Sequence, residues 1–212
     1  MPNNDAVALA ATDNSLAVGT VPASPEQPAP DLAAARTAVA DLLTALGVDL
    51  DAPHVRDTPR RVAEAYRELL NPEPFNATSF PNEEAYDEMI VLKDIPFHSL
   101  CSHHLLPFYG HAHVAYLPGE RLIGLSKLAR VVEFYSRSLQ VQERLTIEIA
   151  DWLEGELGAR GVAVVMEAEH LCMSMRGAKA PGTITTTSAL RGLFKDDQRT
   201  REEFLGFIRD RN

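Results

Sequence analysis

The chain has 212 residues, of which 45% are hydrophobic, so it can bury one sizeable core, and its length favours a single domain. Its formal net charge of −10 argues against a broad basic surface for nucleic acids or anionic membranes, so an anionic ligand requires a local group of cations. No apolar run approaches the roughly 20 residues of a membrane span, and the first cationic side chain is Arg36. We therefore expect a cytoplasmic protein with neither nucleic-acid nor membrane partners.

The chain begins with a segment that predicts no packed structure. Residues 1–30 are rich in Ala, Thr, Ser and Pro and contain no aromatic side chain, which is typical of a disordered tail. Asp31 then predicts the start of an amphipathic helix that ends at Gly47. A second helix is predicted to begin with Thr58 as the cap and Pro59 at the first helical position. These two helices form a predicted helical part over 31–72.

The remainder, 86–212, is predicted to contain strands and further helices. Period-two alternation and turn residues predict strands over 89–95, 110–117, 121–125, 162–168 and 183–189. Helical spacing predicts a helix capped by Ser126, a longer one ending at Gly158, and a C-terminal one with Phe204, Leu205 and Ile208 on its apolar side. Because strands and helices are grouped and do not strictly alternate, the predicted fold class is α+β with an antiparallel sheet.

The only two cysteines in the chain predict a metal site. Cys101 and His104 follow a predicted strand and precede Pro107, so a tight connection can direct both side chains at one ion. Cys172 lies at the end of a later predicted strand and supplies a third ligand. Three protein ligands leave one position open, as in a catalytic zinc site. The alternatives are a structural metal site or two unrelated buried thiols.

Four histidines near the predicted metal site have open roles. Two thiolates neutralise the charge of Zn²⁺ and acidify its water less than histidines would, so separate proton-transfer groups are needed. His103 and His170 neighbour the ligands and titrate near neutrality, which suits them to this work, although they could equally support the ligands or lie in the core. His111 and His113 share one strand face and are either rival ligands or half-buried strand residues.

Several charged side chains suit a phosphorylated heterocycle. Helix N-termini together with Arg and Lys form good phosphate sites. The candidate cations are Arg61, Lys127 and Arg130 after Ser126, and Arg176 beyond Cys172. Glu143 could accept hydrogen bonds from a base edge that carries N–H donors. The alternatives are solvated surface charges and, for Glu143, an ordinary ion pair along a helix.

Six motifs in fixed order carry a family resemblance. They are Asp57-Thr58-Pro59-Arg60-Arg61-Val62-Ala63, Cys101-Ser102-His103-His104-Leu105-Leu106-Pro107-Phe108, Gly124-Leu125-Ser126-Lys127, Gln140-Val141-Gln142-Glu143-Arg144, His170-Leu171-Cys172 with Arg176-Gly177, and Thr185-Thr186-Thr187-Ser188 running to Gly192-Leu193-Phe194-Lys195. Over residues 31–209 the chain resembles the GTP cyclohydrolase I family. The resemblance implies a tunnelling fold, with an antiparallel sheet, helices on one face, and sheets joined into a barrel within a homodecamer of two pentamers.

The resemblance also implies a reaction and residue roles. Zinc-dependent hydrolysis of GTP would open the guanine imidazole ring at C8, release formate and give 7,8-dihydroneopterin triphosphate, the first step of tetrahydrofolate or pterin synthesis. The implied zinc ligands are Cys101, His104 and Cys172, and the implied proton-transfer groups are His103 and His170. The guanine edge would be recognised by Glu143 with Gln142, and the triphosphate would be held by Ser126, Lys127, Arg130, Arg176 and Arg61.

Two positions depart from the family pattern. Ser102 replaces a common glutamate beside the metal ligands, and Glu64 replaces a common basic residue three positions after Arg61. Three rival functions remain at this stage. They are a sibling cyclohydrolase that ends at a cyclic phosphate, an enzyme that uses Cys101 as a nucleophile on a deazaguanine, and a catalytically silent oligomer that binds guanine nucleotides or a regulatory partner.

Overall fold

A computed structural model describes residues 18–20 and 29–209 of the chain. Its strands are β1 (Val18–Thr20), β2 (Asn76–Pro81), β3 (Ile90–Cys101), β4 (Pro107–Leu117), β5 (Arg121–Ile123), β6 (Leu139–Gln140), β7 (Gly161–His170) and β8 (Ile184–Gly192). Its helices are α1 (Leu32–Ala45), α2 (Thr58–Leu69), α3 (Leu125–Ser136), α4 (Gln142–Leu157), α5 (Leu171–Ser174), α6 (Leu193–Asp196) and α7 (Gln198–Arg209).

Helices α1 and α2 form where the sequence predicts them. The Asp31 carboxylate accepts a hydrogen bond from the Ala34 backbone N–H at 2.9 Å, which satisfies one of the free donors at the start of α1. In α2 the capping position is Asp57, so the prediction of Thr58 as the cap is wrong by one residue. The two helices contact each other, as expected for the predicted helical part.

The start of α3 differs from the prediction. Strand β5 ends at Ile123, Gly124 occupies the capping position, and Leu125 is already helical. Ser126 is therefore an exposed residue within the first turn and not the cap. This matters for function because Ser126 and Lys127 both lie at the N-terminus of α3.

Five strands form the main sheet, in the order β6-β3-β4-β7-β8. The pairs β3–β4, β4–β7 and β7–β8 are antiparallel, which confirms the predicted sheet, whereas the short β6 pairs in parallel with the end of β3. A second sheet has the order β1-β2-β5. Strands β2 and β6 were not predicted because each is short, and β2 lies in the segment between the two predicted parts.

Both faces of the main sheet carry helices. Alternate residues of β4 and β7, such as Val114 and Val164, belong to a core that also contains buried side chains of α3 and α4. The intervening residues, such as Ala115 and Ala163, pack in a second cluster with Phe204 of α7. The predicted placement of helices on one face therefore holds for α3 and α4, while α6 and α7 cover part of the opposite face.

Gly110 of β4 fixes the close approach of β7. A Cβ atom at this position would lie only 1.8 Å from the Glu167 backbone oxygen, so no larger residue fits without moving a strand. The paired residues run from Phe108 opposite His170 to Leu117 opposite Gly161. This register places the end of β7 beside the start of β4.

Most of the predicted tail lies outside the described residues. Of residues 1–30, the structure describes Val18–Thr20, which form β1 against β2 and were not predicted as a strand, and the last two positions before Asp31. Within the described part of the chain, no helix is both long and apolar enough to cross a bilayer.

Candidate metal centre

Cys101, His104 and Cys172 form the one group of three or more metal-binding side chains found within residues 18–20 and 29–209. One ligand atom from each residue lies within 4.8 Å of the others. Cys101 is buried, Cys172 is half-buried and His104 is exposed, so the group opens to solvent on the histidine side. The structure thus brings together the three predicted ligands.

The sheet topology explains why these ligands meet. Cys101 is the last residue of β3, so this strand runs further than predicted and the cysteine is not in the connection itself. His104 lies in the turn that leads into β4, and Cys172 lies in α5, directly after β7. Because β4 pairs antiparallel with both β3 and β7, the last residues of β3, the first residues of β4 and the last residues of β7 lie side by side at the same end of the strands.

The turn that carries His104 is held in a sparsely populated backbone conformation. The Cys101 backbone N–H donates to the Leu106 carbonyl at 2.9 Å, and the Leu105 N–H donates to the Cys101 carbonyl at 2.9 Å. Leu105 has a φ of 56°, which is uncommon for a residue other than glycine. The Tyr66 hydroxyl of α2 donates to the Leu105 carbonyl at 2.9 Å and links the turn to the helical part.

The donor set fits zinc. Sulfur and imidazole nitrogen are its preferred ligands, and bond lengths of about 2.3 Å and 2.0 Å in a tetrahedral site place such atoms about 3.6 Å apart. Cys101 Sγ and His104 Nδ1 are 3.8 Å apart, which is within a few tenths of an ångström of that value. Three ligands also leave one tetrahedral position for water or substrate, as in catalytic sites.

The Cys172 thiol has a raised pKa in the metal-free arrangement of side chains. Burial is the largest cause, and the neighbouring Cys101 thiol adds to it, whereas the nearby charge of Arg176 lowers the pKa. Two thiolates at this distance repel each other, and a divalent cation removes that repulsion. Arg176, one of the predicted triphosphate ligands, has an exposed side chain and lies close enough to Cys172 for its charge to act on the thiol.

His103 is close to the cluster but is not one of its three ligands. Its Nδ1 atom is 3.7 Å from Cys101 Sγ, and its ring centre is 6.2 Å from that of His104. The side chain is exposed. His103 therefore lies where a proton-transfer group beside the metal is expected.

His170 is held by two contacts at the end of β7. Its ring is stacked on Phe108 with 4.7 Å between centroids and an angle of 2° between the planes. Its Nε2 atom lies 2.8 Å from Gln142 Oε1. Burial lowers the pKa of His170, and the nearby Glu143 carboxylate partly opposes this effect. The ring is thus favoured in its neutral form at pH 7.

The Gln142 side chain, which is predicted to contact guanine, is buried at the start of α4. The side chain is only 2% exposed, and both ends of its amide are hydrogen-bonded within the chain. Glu143, the next residue, is exposed in the first turn of α4 and remains available to a ligand. The two residues therefore differ in what they can contact, although the motif places them side by side.

The remaining predicted substrate residues lie on other elements. Ser126, Lys127 and Arg130 follow one another along the first turns of α3, where Ser126 and Arg130 are exposed. Arg61 of α2 is exposed and lies 3.7 Å from the Asp57 carboxylate. Among the described residues, none of these four makes a hydrogen bond or ion pair with the cysteine and histidine cluster.

A cavity of about 920 Å³ lies beside α3 and the exposed sheet face. Its lining includes Arg130 and Glu133 of α3 and Tyr109, Glu167 and Glu169 of the sheet. None of the three metal ligands lines it. The donor atoms on which metal chemistry depends therefore lie outside this cavity.

His111 and His113 are not rival ligands in this arrangement. His111 is exposed, and His113 is 2% exposed. The Nδ1 atom of His113 accepts a hydrogen bond from the Asp94 backbone N–H at 3.2 Å, and its Nε2 atom is 3.8 Å from the Glu167 carboxylate. His113 therefore belongs to the irregular part of the β3–β4 pairing, where Asp94 has a φ of 54°.

Sequence reasoning missed Phe108 and Tyr66 as supporting residues. Phe108 occurs in a quoted motif, but its stacking on His170 follows from the β4–β7 register, which sequence spacing does not give. The Tyr66 hydroxyl contacts the turn that carries His104, and this contact joins two segments that are far apart in the chain. In the sequence, Phe108 follows Pro107 and Tyr66 precedes Arg67, and neither neighbour marks the aromatic residue as part of a site.

The fold and the cluster define an α+β tunnelling-fold protein with a cysteine and histidine metal centre. A family model described as GTP cyclohydrolase I matches residues 35–209. The chain belongs to the GTP cyclohydrolase I family.

Curated relatives agree with this membership over most of the chain. GTP cyclohydrolase 1 of Sulfurihydrogenibium sp. is 55% identical over 166 residues, which cover 78% of this chain and 89% of the relative. The corresponding protein of Mycolicibacterium vanbaalenii is 54% identical, and the match covers 84% of this chain and 91% of the relative. That of Aquifex aeolicus is 51% identical, and the match covers 82% of this chain and 95% of the relative. Among solved structures, the crystal structure of the archaeosine synthase QueF-Like in the apo form is 16% identical in sequence to this chain, with a TM-score of 0.40. The match covers 49% of this chain and 93% of that one, and a similarity this low supports no conclusion.

Proposed function

We propose that this chain hydrolyses GTP to 7,8-dihydroneopterin triphosphate and formate, the first step of tetrahydrofolate and pterin biosynthesis. The observation that carries the proposal is the convergence of Cys101, His104 and Cys172 in a chain that matches the GTP cyclohydrolase I family over residues 35–209. Both cysteines are free thiols, which supports a reducing compartment and hence the cytoplasm.

Zinc is the cofactor, held by Cys101, His104 and Cys172. A bound zinc ion supplies Lewis-acid activation of water for hydrolysis at C8 of the guanine ring. The chain supplies the rest of the environment. Burial of Cys101 and the fixed turn up to Leu106 limit the ways in which the ligands can rearrange.

His103 and His170 are the proton-transfer groups. The burial that lowers the His170 pKa keeps its ring neutral near pH 7, so it can accept a proton. His103 is exposed beside Cys101 and can exchange protons with solvent between turnovers. The two histidines lie in unequal environments, one half-buried and one exposed, which suits them to opposite roles in one cycle.

Glu143 recognises the guanine edge, and five further side chains bind the triphosphate. Glu143 is exposed and close enough to His170 for its charge to raise the pKa of that ring. A carboxylate there can accept hydrogen bonds from the guanine N–H groups. The triphosphate ligands are Ser126, Lys127 and Arg130 of α3, together with Arg176 and Arg61. The first two lie where α3 presents its free backbone N–H groups, a favourable place for an anion.

The active site is completed between subunits of a homodecamer built from two pentamers. This part of the proposal is supported by the finding that, among the described residues, the cations of α2 and α3 make no hydrogen bond or ion pair with the metal cluster. Large side chains that are exposed in the single chain, among them Leu139, Met175 and Ile184, provide apolar surface for such contacts.

The experiment uses purified protein whose zinc content has been measured. It is incubated with GTP while formate and the fluorescent oxidised pterin are followed, and the mass of the product is determined. Cys172→Ala removes one ligand and should abolish formate release together with zinc binding. Met173→Leu, a change at the exposed neighbouring position, serves as the matched control and should retain both.

Each rival function has its own outcome in this experiment. A product with the mass of a cyclic phosphate would indicate the sibling cyclohydrolase. Activity that survives complete zinc removal but is lost in Cys101→Ala would indicate a cysteine nucleophile. Absence of both formate and pterin at full zinc occupancy would overturn the proposed hydrolysis and leave a binding protein.

A further inference from the structure

The orientation of the Gln142 side-chain amide is fixed by its neighbours. Its Nε2 atom lies 3.0 Å from the Met166 carbonyl oxygen and 3.0 Å from the Thr185 carbonyl oxygen. Carbonyl oxygens can only accept hydrogen bonds, so the NH₂ group must face them. The Oε1 atom therefore faces Nε2 of His170, at 2.8 Å. Exchanging the two ends of the amide would leave oxygen facing two oxygens in a buried site.

Two threonine hydroxyls reinforce this orientation. The Thr146 hydroxyl donates to the Gln142 backbone oxygen at 2.7 Å, so its hydrogen is already used. The Thr187 hydroxyl lies 2.6 Å from that of Thr146 and must therefore donate to it. Thr187 Oγ1 in turn accepts from Gln142 Nε2 at 3.1 Å. The two hydrogens of the Gln142 amide are shared among three acceptors, the two carbonyl oxygens and Thr187 Oγ1, and all three lie at the Nε2 end of the amide, whereas His170 lies at the Oε1 end.

The network determines which nitrogen of the His170 ring carries hydrogen in the neutral form. Because Gln142 Oε1 only accepts, Nε2 of His170 must donate and is protonated. The Nδ1 atom has no hydrogen-bond partner among the described residues. Stacking on Phe108 at 4.7 Å holds the plane of the ring. The Nε2 atom is thus hydrogen-bonded to the protein, and the Nδ1 atom remains available to a ligand.

We propose that Gln142 is a positioning residue that holds the His170 ring with its hydrogen on Nε2 and leaves Nδ1 as the ring nitrogen available to the substrate. The substrate part rests on the proposed function, whereas the position of the hydrogen does not. The proposal replaces the expected contact between the Gln142 side chain and guanine, since both ends of the amide are already occupied.

The first test is a solid-state NMR spectrum of the zinc-loaded protein labelled with ¹³C and ¹⁵N at histidine. The His170 signals are assigned by their absence in His170→Gln, and ¹⁵N–¹³C correlations identify the protonated nitrogen at a pH where the ring is neutral. We expect a protonated Nε2 and a bare Nδ1. A protonated Nδ1 with a bare Nε2 would overturn the proposal, and this spectrum needs no variant of Gln142.

The second test compares two buried glutamines. Gln142→Met keeps the approximate shape of the side chain and removes both hydrogen-bonding ends, so His170 should show a mixture of the two protonated forms. The kcat for formate release should fall about 10- to 100-fold, the usual loss when a group that orients a histidine is removed, with little change in KM for GTP. Gln140→Met is the matched control, because Gln140 is also 2% exposed and its amide contacts Tyr135, Glu148 and Arg144 but not His170.

The outcomes separate this inference from the proposed function. If Gln142→Met keeps the parent spectrum and kcat, or raises KM with kcat unchanged, the positioning role is wrong. If Gln140→Met disturbs the His170 spectrum as strongly as Gln142→Met, the effect belongs to any buried amide and the proposal also fails. If the parent protein releases no formate, the proposed function fails while the spectrum still decides the position of the hydrogen.

Discussion

At the scale of single residues, Ser102 is the position where this chain departs from its family next to the metal. Its side chain is exposed, and its backbone N–H donates to the Gln140 carbonyl at 2.9 Å. The backbone role does not depend on the side chain, so a substitution here changes local charge without changing the turn. Ser102 therefore offers a direct way to test how charge beside Cys101 and His103 affects catalysis.

We expect Ser102→Glu to move the pH profile of GTP turnover toward higher pH. A carboxylate at this exposed position favours the protonated forms of the groups around it, so a higher pH is needed to deprotonate them. The measurement is the initial rate of formate release across pH 6 to 9, with Ser102→Gln as the uncharged control of equal size. Superimposable profiles for the two variants would remove the importance of charge at this position.

The cluster of Cys101, His104 and Cys172 could be predicted from sequence because the chain contains only two cysteines, and because Cys101 and His104 are close in the chain. The role of Gln142 could not be predicted in the same way. It depends on burial and on acceptors from β7 and β8, which come from distant segments. A sequence motif can place Gln142 beside Glu143, but it cannot say which of the two faces inward.

At the scale of elements, α7 depends on a single capping carboxylate. Asp197 accepts hydrogen bonds from the backbone N–H and the hydroxyl of Thr200, at 2.9 Å and 2.7 Å. These bonds hold the pKa of Asp197 below its usual range. Phe204 of the same helix is fully buried against the sheet, so the cap stabilises an element that covers part of the core.

Asp197→Ala should lower the thermal stability of the protein, and this difference should depend on pH. A depressed carboxyl pKa contributes stability that is present above the unfolded value of about 3.9 and is lost as pH falls through the folded value. The difference in urea midpoint between parent and variant should therefore be constant from pH 7 to pH 5 and shrink below pH 4. Asp197→Asn, which keeps an acceptor without a charge, should lose less stability. A difference that grows on acidification would contradict this account.

The helices were the best predicted elements. Their apolar spacing is regular, and residues such as Asp31 and Gly158 mark their ends; Gly158 has a φ of 53°, in the left-handed region that suits glycine at the end of α4. Strand ends were predicted less well. Strand β3 continues to Cys101 through His98 and Ser99 because its partner β4 supplies hydrogen bonds, and such pairing is not visible in the composition of one segment. The short β2 and β6 exist only through their partners.

At the scale of the whole molecule, the metal centre joins segments that are far apart in the chain. Cys101 ends β3 and His104 lies in the β3–β4 connection, whereas Cys172 follows β7. A bound ion therefore stabilises the folded chain relative to the unfolded one, in which these ligands are separated.

Zinc removal should abolish formate release and lower the melting temperature while the oligomer persists. At a free zinc concentration 100 times the dissociation constant, binding contributes about 2.7 kcal/mol of stability, which chelation removes. The measurements are calorimetry and native mass spectrometry, with ten copies of a 23.3-kDa chain as the expected assembly. Zinc restoration should recover both properties, and Cys172→Ala should not respond to chelator. An unchanged melting temperature in the parent would show that the cluster holds no ion in the folded protein.

The pairing of Phe108 with His170 has a consequence for the evolution of this chain. A one-residue insertion or deletion in β7 would turn every following side chain to the opposite face of the sheet, so that the His170 ring would leave Phe108. Gly110 would then face a different part of the β7 backbone, and the space left by its missing side chain would no longer coincide with the Glu167 backbone oxygen that now occupies it. We therefore expect length changes among relatives to fall in the connections around β7, and the strand itself to vary by substitution alone.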